Sequence, residues 1–335
     1  MLDTRLTTML RVQHPIMLAG MAGVSYAGLV GAMSEAGGYG VLGAGNMALD
    51  ELSAEMQKVR ALTSKPFGVD LLAPMTDNPE DEAQRIIDGG VTCFVTGPGL
   101  PSRVIRLYQK AAILVFCVCT TVRQAVEAED AGCDAVVAQG TEAGGHTGAV
   151  GTMALCPQVV DRVKIPVIAA GGIYDGRGLA AALALGCEGV WIGTRFVACH
   201  EARAAKAYQG SILRANESDT IVSRCWTGKP LRALKSPTIE QWEQRPQDIQ
   251  SFPQQDAAMR QAGLLGFLDP EAAEREPRLS CFPAGQGCGG ITKVESCREI
   301  VDGIMRQAVE VLAAQGARAK EKARPAERRD ELENR

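Results

Sequence analysis

The feature that most limits the fold of this chain is a recurrence. Eight apolar runs of strand length, each bounded by Gly, Pro or Asp, begin at residues 15, 38, 67, 92, 113, 135, 166 and 189. They read PIMLA, GYGVLG, FGVDLL, TCFVTG, ILVFCV, AVVAQG, PVIAAG and GVWIGT. Segments with helical spacing lie between them, among them YAGLVGAMSEAG, TVRQAVEAEDAG and GRGLAAALALG. An interval of roughly 20–30 residues is the length of a strand plus a returning helix, and such a crossover makes neighbouring strands parallel. Eight strands that are apolar on both faces suit a closed barrel, whereas an open doubly wound sheet has fewer strands and a more polar edge. The expected fold is therefore α/β, a TIM (β/α)8 barrel.

After residue 200 the period stops. Residues 209–283 are richer in charge, Gln and Pro and hold Trp226 and Trp242, which predicts a smaller, mostly helical cap inserted into the barrel. The barrel then comprises residues 1–208 and 284–316, the second part returning through AGQGCGGI and an amphipathic helix. The stretch 317–335 is charged and almost free of aliphatics, so it reads as frayed helix or a flexible tail.

Charge narrows the partners. A net charge of −4 with both signs interspersed leaves no footprint for nucleic acid. No apolar run is long enough to span a bilayer, and MLDTRLTTMLRVQHP lacks the order of a signal peptide, so the expected compartment is the cytoplasm and no membrane partner is expected. The eleven cysteines form no CxxC pair and fall mostly inside apolar segments, which predicts reduced, buried thiols and no metal site. Cys117 and Cys119 lie within a strand rather than an exposed loop, which argues against a cysteine nucleophile.

In such a barrel the chemistry sits at the C-terminal ends of the strands. Those ends carry AGMAG (19–23), Asp70, QGTEAGGH (139–146), AGG (170–172) and GTR (193–195), so small residues line most of the rim and backbone can approach a broad flat ligand. A lone diglycine would signify only a tight turn. Two adjacent glycine turns after the seventh and eighth strands point to a phosphate cradle. His146 is one of three histidines and follows the sixth strand behind Gly144 and Gly145, where an imidazole can exchange a proton with a bound molecule. The plainer alternative is a solvated loop histidine. Glu142 either orders this loop or is solvated. His14 and His200 read as structural.

These same residues carry a resemblance. PIMLAGMAGVS, PFGVD, AQGTEAGGHTG, IPVIAAGGIYDGRGLAAALALG, GTRF and AGQGCGGI together resemble the FMN-dependent nitronate monooxygenases, formerly called 2-nitropropane dioxygenases. Their superfamily also includes flavin enoyl-ACP reductases and NAD(P)H:quinone reductases. The likeness covers about residues 10–200 and 284–310. It implies FMN at the barrel mouth, with His146 near the flavin ring as base or substrate anchor. It further implies that Gly171, Gly172, Gly193 and Thr194 hold the phosphate, and that Ala170 and Gly145 also bind the cofactor. Gly20 and Met21 would lie along the ring, Gln139 would bond its polar edge, and Gln286 would close the pocket. FMN rather than FAD is expected, since no GxGxxG follows the first strand.

The chain departs from the pattern twice. Gly20 stands where the monooxygenases read Pro, a feature nearer the reductases, and Asp70 stands where they read Asn. A carboxylate near the flavin pyrimidine implies that Asp70 turns away or that the redox potential is lowered. The implied activity is oxidation of alkyl nitronates, or nitroalkanes, by O2 to carbonyl compounds and nitrite. The alternatives are an NAD(P)H-dependent reductase of enoyl thioesters or quinones, and a flavin-binding sensor without turnover. The implied partners are a small-molecule substrate and O2, or NAD(P)H for a reductase; the oligomeric state stays open, with a homodimer as one candidate.

Overall fold

Each of the eight apolar runs forms a strand in the computed structural model, which describes residues 2–45, 47–71 and 78–322. Asn46, Leu72 and the tail beyond Lys322 lie outside the described residues. In chain order the barrel strands are β1 (Ile16–Leu18), β2 (Gly40–Gly43), β3 (Phe67–Asp70), β4 (Cys93–Thr96), β5 (Leu114–Cys119) and β6 (Ala135–Gln139). The two-residue β7 (Gly145–His146) lies outside the barrel, and β8 (Val167–Ala170) and β9 (Gly189–Ile192) complete it. Their order is β1-β9-β8-β6-β5-β4-β3-β2, every neighbouring pair parallel. The ring is drawn together by a parallel bridge between Met17 and Tyr39, with Leu18 N–H donating to Tyr39 O at 2.9 Å.

Alternation along these strands sorts the core into two shells. Met17, Val41, Val95, Phe116, Val137 and Trp191 fill the interior. Ile16, Leu18, Leu42, Val69, Val136 and Val190 point outward into the layer of helices. Burial on both faces explains why the runs read as continuously apolar.

The N-terminal end of the barrel is plugged by the helix Arg5–Leu10. Thr4 caps it, its hydroxyl accepting from Thr7 N–H while the Thr7 hydroxyl accepts from Thr4 N–H. Leu6 and Leu10 enter the interior cluster, and the Thr4 hydroxyl donates to Glu188 O, just ahead of β9, at 2.7 Å.

Beyond the helix Lys206–Arg214 the βα order gives way to β10 (Thr220–Ser223), β11 (Leu231–Leu234) and the helices Pro237–Glu243, Gln254–Gln261 and Pro270–Arg275. These surround a separate core that includes Trp226, Leu231, Ile239, Met259 and Leu265. The helices expected here are joined by a sheet, since β10, β11 and β7 form three antiparallel strands. Because β7 belongs to the loop after β6, that sheet stitches residues 220–234 to the barrel mouth. The last helix, Cys297–Lys322, returns against Gly176–Ala184 and Ala27–Glu35. All eleven cysteines are buried and free.

Candidate active site at the barrel mouth

The floor of the mouth follows from strand alternation. The inward position nearest each C-terminal end is Ala19 after β1, Gly43 in β2, Asp70 in β3, Gly97 after β4, Val118 in β5, Gln139 in β6, Ala170 in β8 and Gly193 after β9. Most are small, so the floor is flat, and Asp70 and Gln139 are its polar members. The chain after β1 folds over this floor. Met21 N–H donates to the Ser25 hydroxyl at 3.1 Å, and that hydroxyl donates to Ala19 O at 2.9 Å.

Gly20 and Asp70 occupy one space. A Cβ on Gly20 would fall 2.1 Å from Asp70 Cβ and 2.4 Å from Asp70 Oδ2, so no other residue fits at position 20 unless the backbone shifts. Asp70 is 5% exposed and its Oδ1 has no hydrogen-bond partner. Burial alone pushes its carboxyl well above the usual carboxylate range. Burial therefore favours the protonated carboxyl over the carboxylate at this position beneath the mouth.

The expected cradle lies at the corner of β8 and β9. Gly171 and Gly172 turn at φ of 102° and 72°, a region that favours glycine. Gly193 precedes the short helix Thr194–Val197, and a Cβ there would lie 3.4 Å from Met21 Sδ and 3.5 Å from Ala19 Cβ, over the floor. Among the described residues, the backbone N–H groups of Gly171, Gly172, Gly193 and Thr194 have no acceptor. Four such donors at one corner fit a phosphate. The Thr194 hydroxyl is already engaged, accepting from Gly285 N–H of the returning loop at 3.0 Å.

Gln286 N–H donates to Glu142 O at 2.9 Å, and its exposed side chain borders a cavity of about 510 Å³ that also touches Gly171, Gly172, Glu142 and Glu217.

The loop after β6 is held from several sides. Glu142 accepts from Thr152 N–H at 2.9 and 3.0 Å and from the Thr152 hydroxyl at 2.9 Å, so it orders the loop by capping the helix Thr152–Val160. Arg232 Nε donates to Thr141 O at 2.8 Å. Gly145 turns at φ 78°, and His146 then pairs with Leu231 of β11. Gln139 Nε2 donates to His146 O at 2.7 Å. His146 Nε2 lies 2.9 Å from Thr227 Oγ1.

His146 keeps an exposed edge at the mouth, yet its ring is crowded. Desolvation first, then the charge of Lys229, lowers its pKa below the ordinary histidine value, while Asp256 opposes them. The lowered pKa favours the neutral imidazole, the form able to accept a proton. His14 is at the opposite, N-terminal end, and burial likewise lowers its pKa.

The structure brings Gly20, Met21, Asp70, Gln139, His146, Ala170 and Gly193 around one mouth, with Gly145, Gly171, Gly172 and Thr194 at its rim. Sequence reading passed over Thr227 and Lys229. They lie 81 and 83 positions from His146 in a segment without a motif, and the β7–β11 pairing that joins them has no local signal.

The chain matches the nitronate monooxygenase family profile over residues 3–307. The chain belongs to the nitronate monooxygenase family. It is 33% identical to a probable nitronate monooxygenase of Staphylococcus saprophyticus across 93% of this chain and 99% of that protein. A probable nitronate monooxygenase of Staphylococcus aureus is 37% identical over 75% of this chain and 84% of its own. Among solved structures, FabK from Thermotoga maritima superimposes with a TM-score of 0.85 at 35% identity, covering 95% of this chain and 99% of that one. Nitroalkane oxidase from Streptomyces ansochromogenes does so with a TM-score of 0.83 at 28% identity, covering 92% and 99%. The TIM barrel and an oxidoreductase activity follow from this family membership. Among the described residues no helix is long and apolar enough to cross a membrane, and no group of three or more His, Cys, Asp or Glu is placed to hold a metal.

Proposed function

We propose that the chain is an FMN-dependent nitronate monooxygenase that converts alkyl nitronates, and nitroalkanes after loss of the α-proton, to carbonyl compounds and nitrite with O2. The observation that carries this reading is the place of His146, paired with β11 and held through Nε2 by Thr227, beside a barrel mouth lined by small residues. The N–H groups of Gly171, Gly172, Gly193 and Thr194 would hold the FMN phosphate, and Gly20, Met21, Asp70 and Gln139 would meet its ring. The flavin, when bound, supplies the electron acceptor for the substrate. The protein's part is to orient the nitronate, to place the buried Asp70 beneath it, and to accept the α-proton of a neutral nitroalkane at His146.

A reductase fed by NAD(P)H is the second reading, and Gly20 favours it. FabK from Thermotoga maritima also resembles the chain more in sequence than the nitroalkane oxidase does, at 35% against 28%.

His146→Ala tests the assigned role. Flavin should stay bound, and turnover of neutral nitroalkane should fall by about 10²- to 10⁴-fold, the usual worth of a general base. Preformed nitronate has already lost its α-proton and should suffer much less. Equal losses for both substrates would make His146 an anchor, and no loss for either would remove it from the chemistry.

A further inference from the structure

We propose that Thr227 of the cap is the positioning residue for His146: its hydroxyl takes the Nε2 proton and so leaves Nδ1 as the basic atom. The inference rests on the reading of His146 as a base. A neutral imidazole carries one proton, and the partner of one ring nitrogen decides which nitrogen is free. Thr227 Oγ1 is 2.9 Å from His146 Nε2, 3.4 Å from Lys229 O and 3.4 Å from Lys229 N. A hydroxyl has a single proton and two lone pairs. All three contacts are satisfied together in one arrangement, with the hydroxyl donating to Lys229 O and accepting from both Lys229 N–H and His146 Nε2–H. The reverse arrangement gives up the Lys229 carbonyl and places the ring proton on Nδ1, making that atom a donor instead of a base.

The surroundings keep this choice from being averaged by water. Thr227 is 3% exposed, next to the fully buried Trp226. The pairing of Leu231 with His146 fixes the register of the segment against the histidine. Two charged groups face the imidazole from the cap: Lys229, whose Nζ sits 4.0 Å from the Phe252 ring centroid, and Asp256. Lys229 disfavours the imidazolium and Asp256 favours it, so the cap governs both the tautomer and the charge of His146.

The flavin-loaded protein, labelled with ¹⁵N-histidine, offers a direct test, since it has three histidines to resolve. Long-range ¹H–¹⁵N correlations should show His146 with Nε2 protonated in the wild type and in Thr227→Ser, and a mixture of tautomers in Thr227→Val. Thr227→Val should also lose roughly 10-fold in kcat for neutral nitroalkane with KM nearly unchanged, and Thr227→Ser should restore it. The acid limb of the kcat profile should move to lower pH in Thr227→Val, because the imidazolium loses an acceptor. A wild-type His146 protonated on Nδ1 would overturn the proposal even if Thr227→Val fails to fold, as would a tautomer unchanged by the substitution. A changed tautomer with unchanged kcat would uphold the positioning and count instead against His146 as the base.

Discussion

Asp70 and Gly20 show how two residues act as one. Each departs separately from the family pattern, and the sequence makes both visible as departures. What it does not carry is that they share a volume, because a contact between positions 20 and 70 exists only once β1 and β3 are placed in the same barrel. The raised pKa of Asp70 is likewise a property of its surroundings. It leads to a test on the apoprotein. Between the unfolded aspartate value of about 3.9 and the raised value in the folded chain, the native state keeps a proton that the unfolded state has released, so stability falls as pH rises through that window. Asparagine does not titrate. Asp70→Asn should therefore gain thermal stability over the wild type as pH rises above about 4, the gap widening until the folded carboxyl ionises. Melting curves of both proteins across pH would check this, and parallel curves would show that Asp70 is ionised when folded.

At the scale of elements, legibility tracks length and locality. The barrel strands were readable because burial on both faces leaves uninterrupted apolar runs. The plug helix was not, since the six residues Arg5–Leu10 are too few to display a period, and the Thr4–Thr7 capping box is an unusual variant. Leu6 is fully buried within the barrel interior, so Leu6→Ala should cost about 2–5 kcal/mol in denaturant unfolding while flavin binding survives. A loss below 1 kcal/mol would mean that the plug adds little to the barrel. The cap sheet escaped notice for another reason: its third strand is two residues long and comes from a loop 85 positions away from its partner. Gly193 tests the cradle more cleanly than Gly171 or Gly172, whose positive φ would strain any side chain. Its φ of −106° accepts other residues and the nearest atom to an added Cβ is 3.4 Å away. Gly193→Val should fold, keep its circular dichroism and purify colourless. A yellow Gly193→Val protein would place the phosphate elsewhere.

For the whole molecule, eight parallel strands and a glycine-lined rim were enough to propose a site, and His146 stood out as a candidate because histidines are scarce and this one follows a strand at the C-terminal face. The group that sets its protonation was out of reach, since Thr227 arrives from the cap by long-range pairing. The account's central claim is that this mouth takes electrons from a nitronate. The most direct measurement is anaerobic mixing of the purified protein with propyl-2-nitronate, NADH and NADPH in turn, following the flavin spectrum. The account predicts that the nitronate changes the spectrum and that both pyridine nucleotides leave the flavin oxidised. Bleaching by NADH or NADPH, with no response to the nitronate, would contradict it and make the protein a reductase.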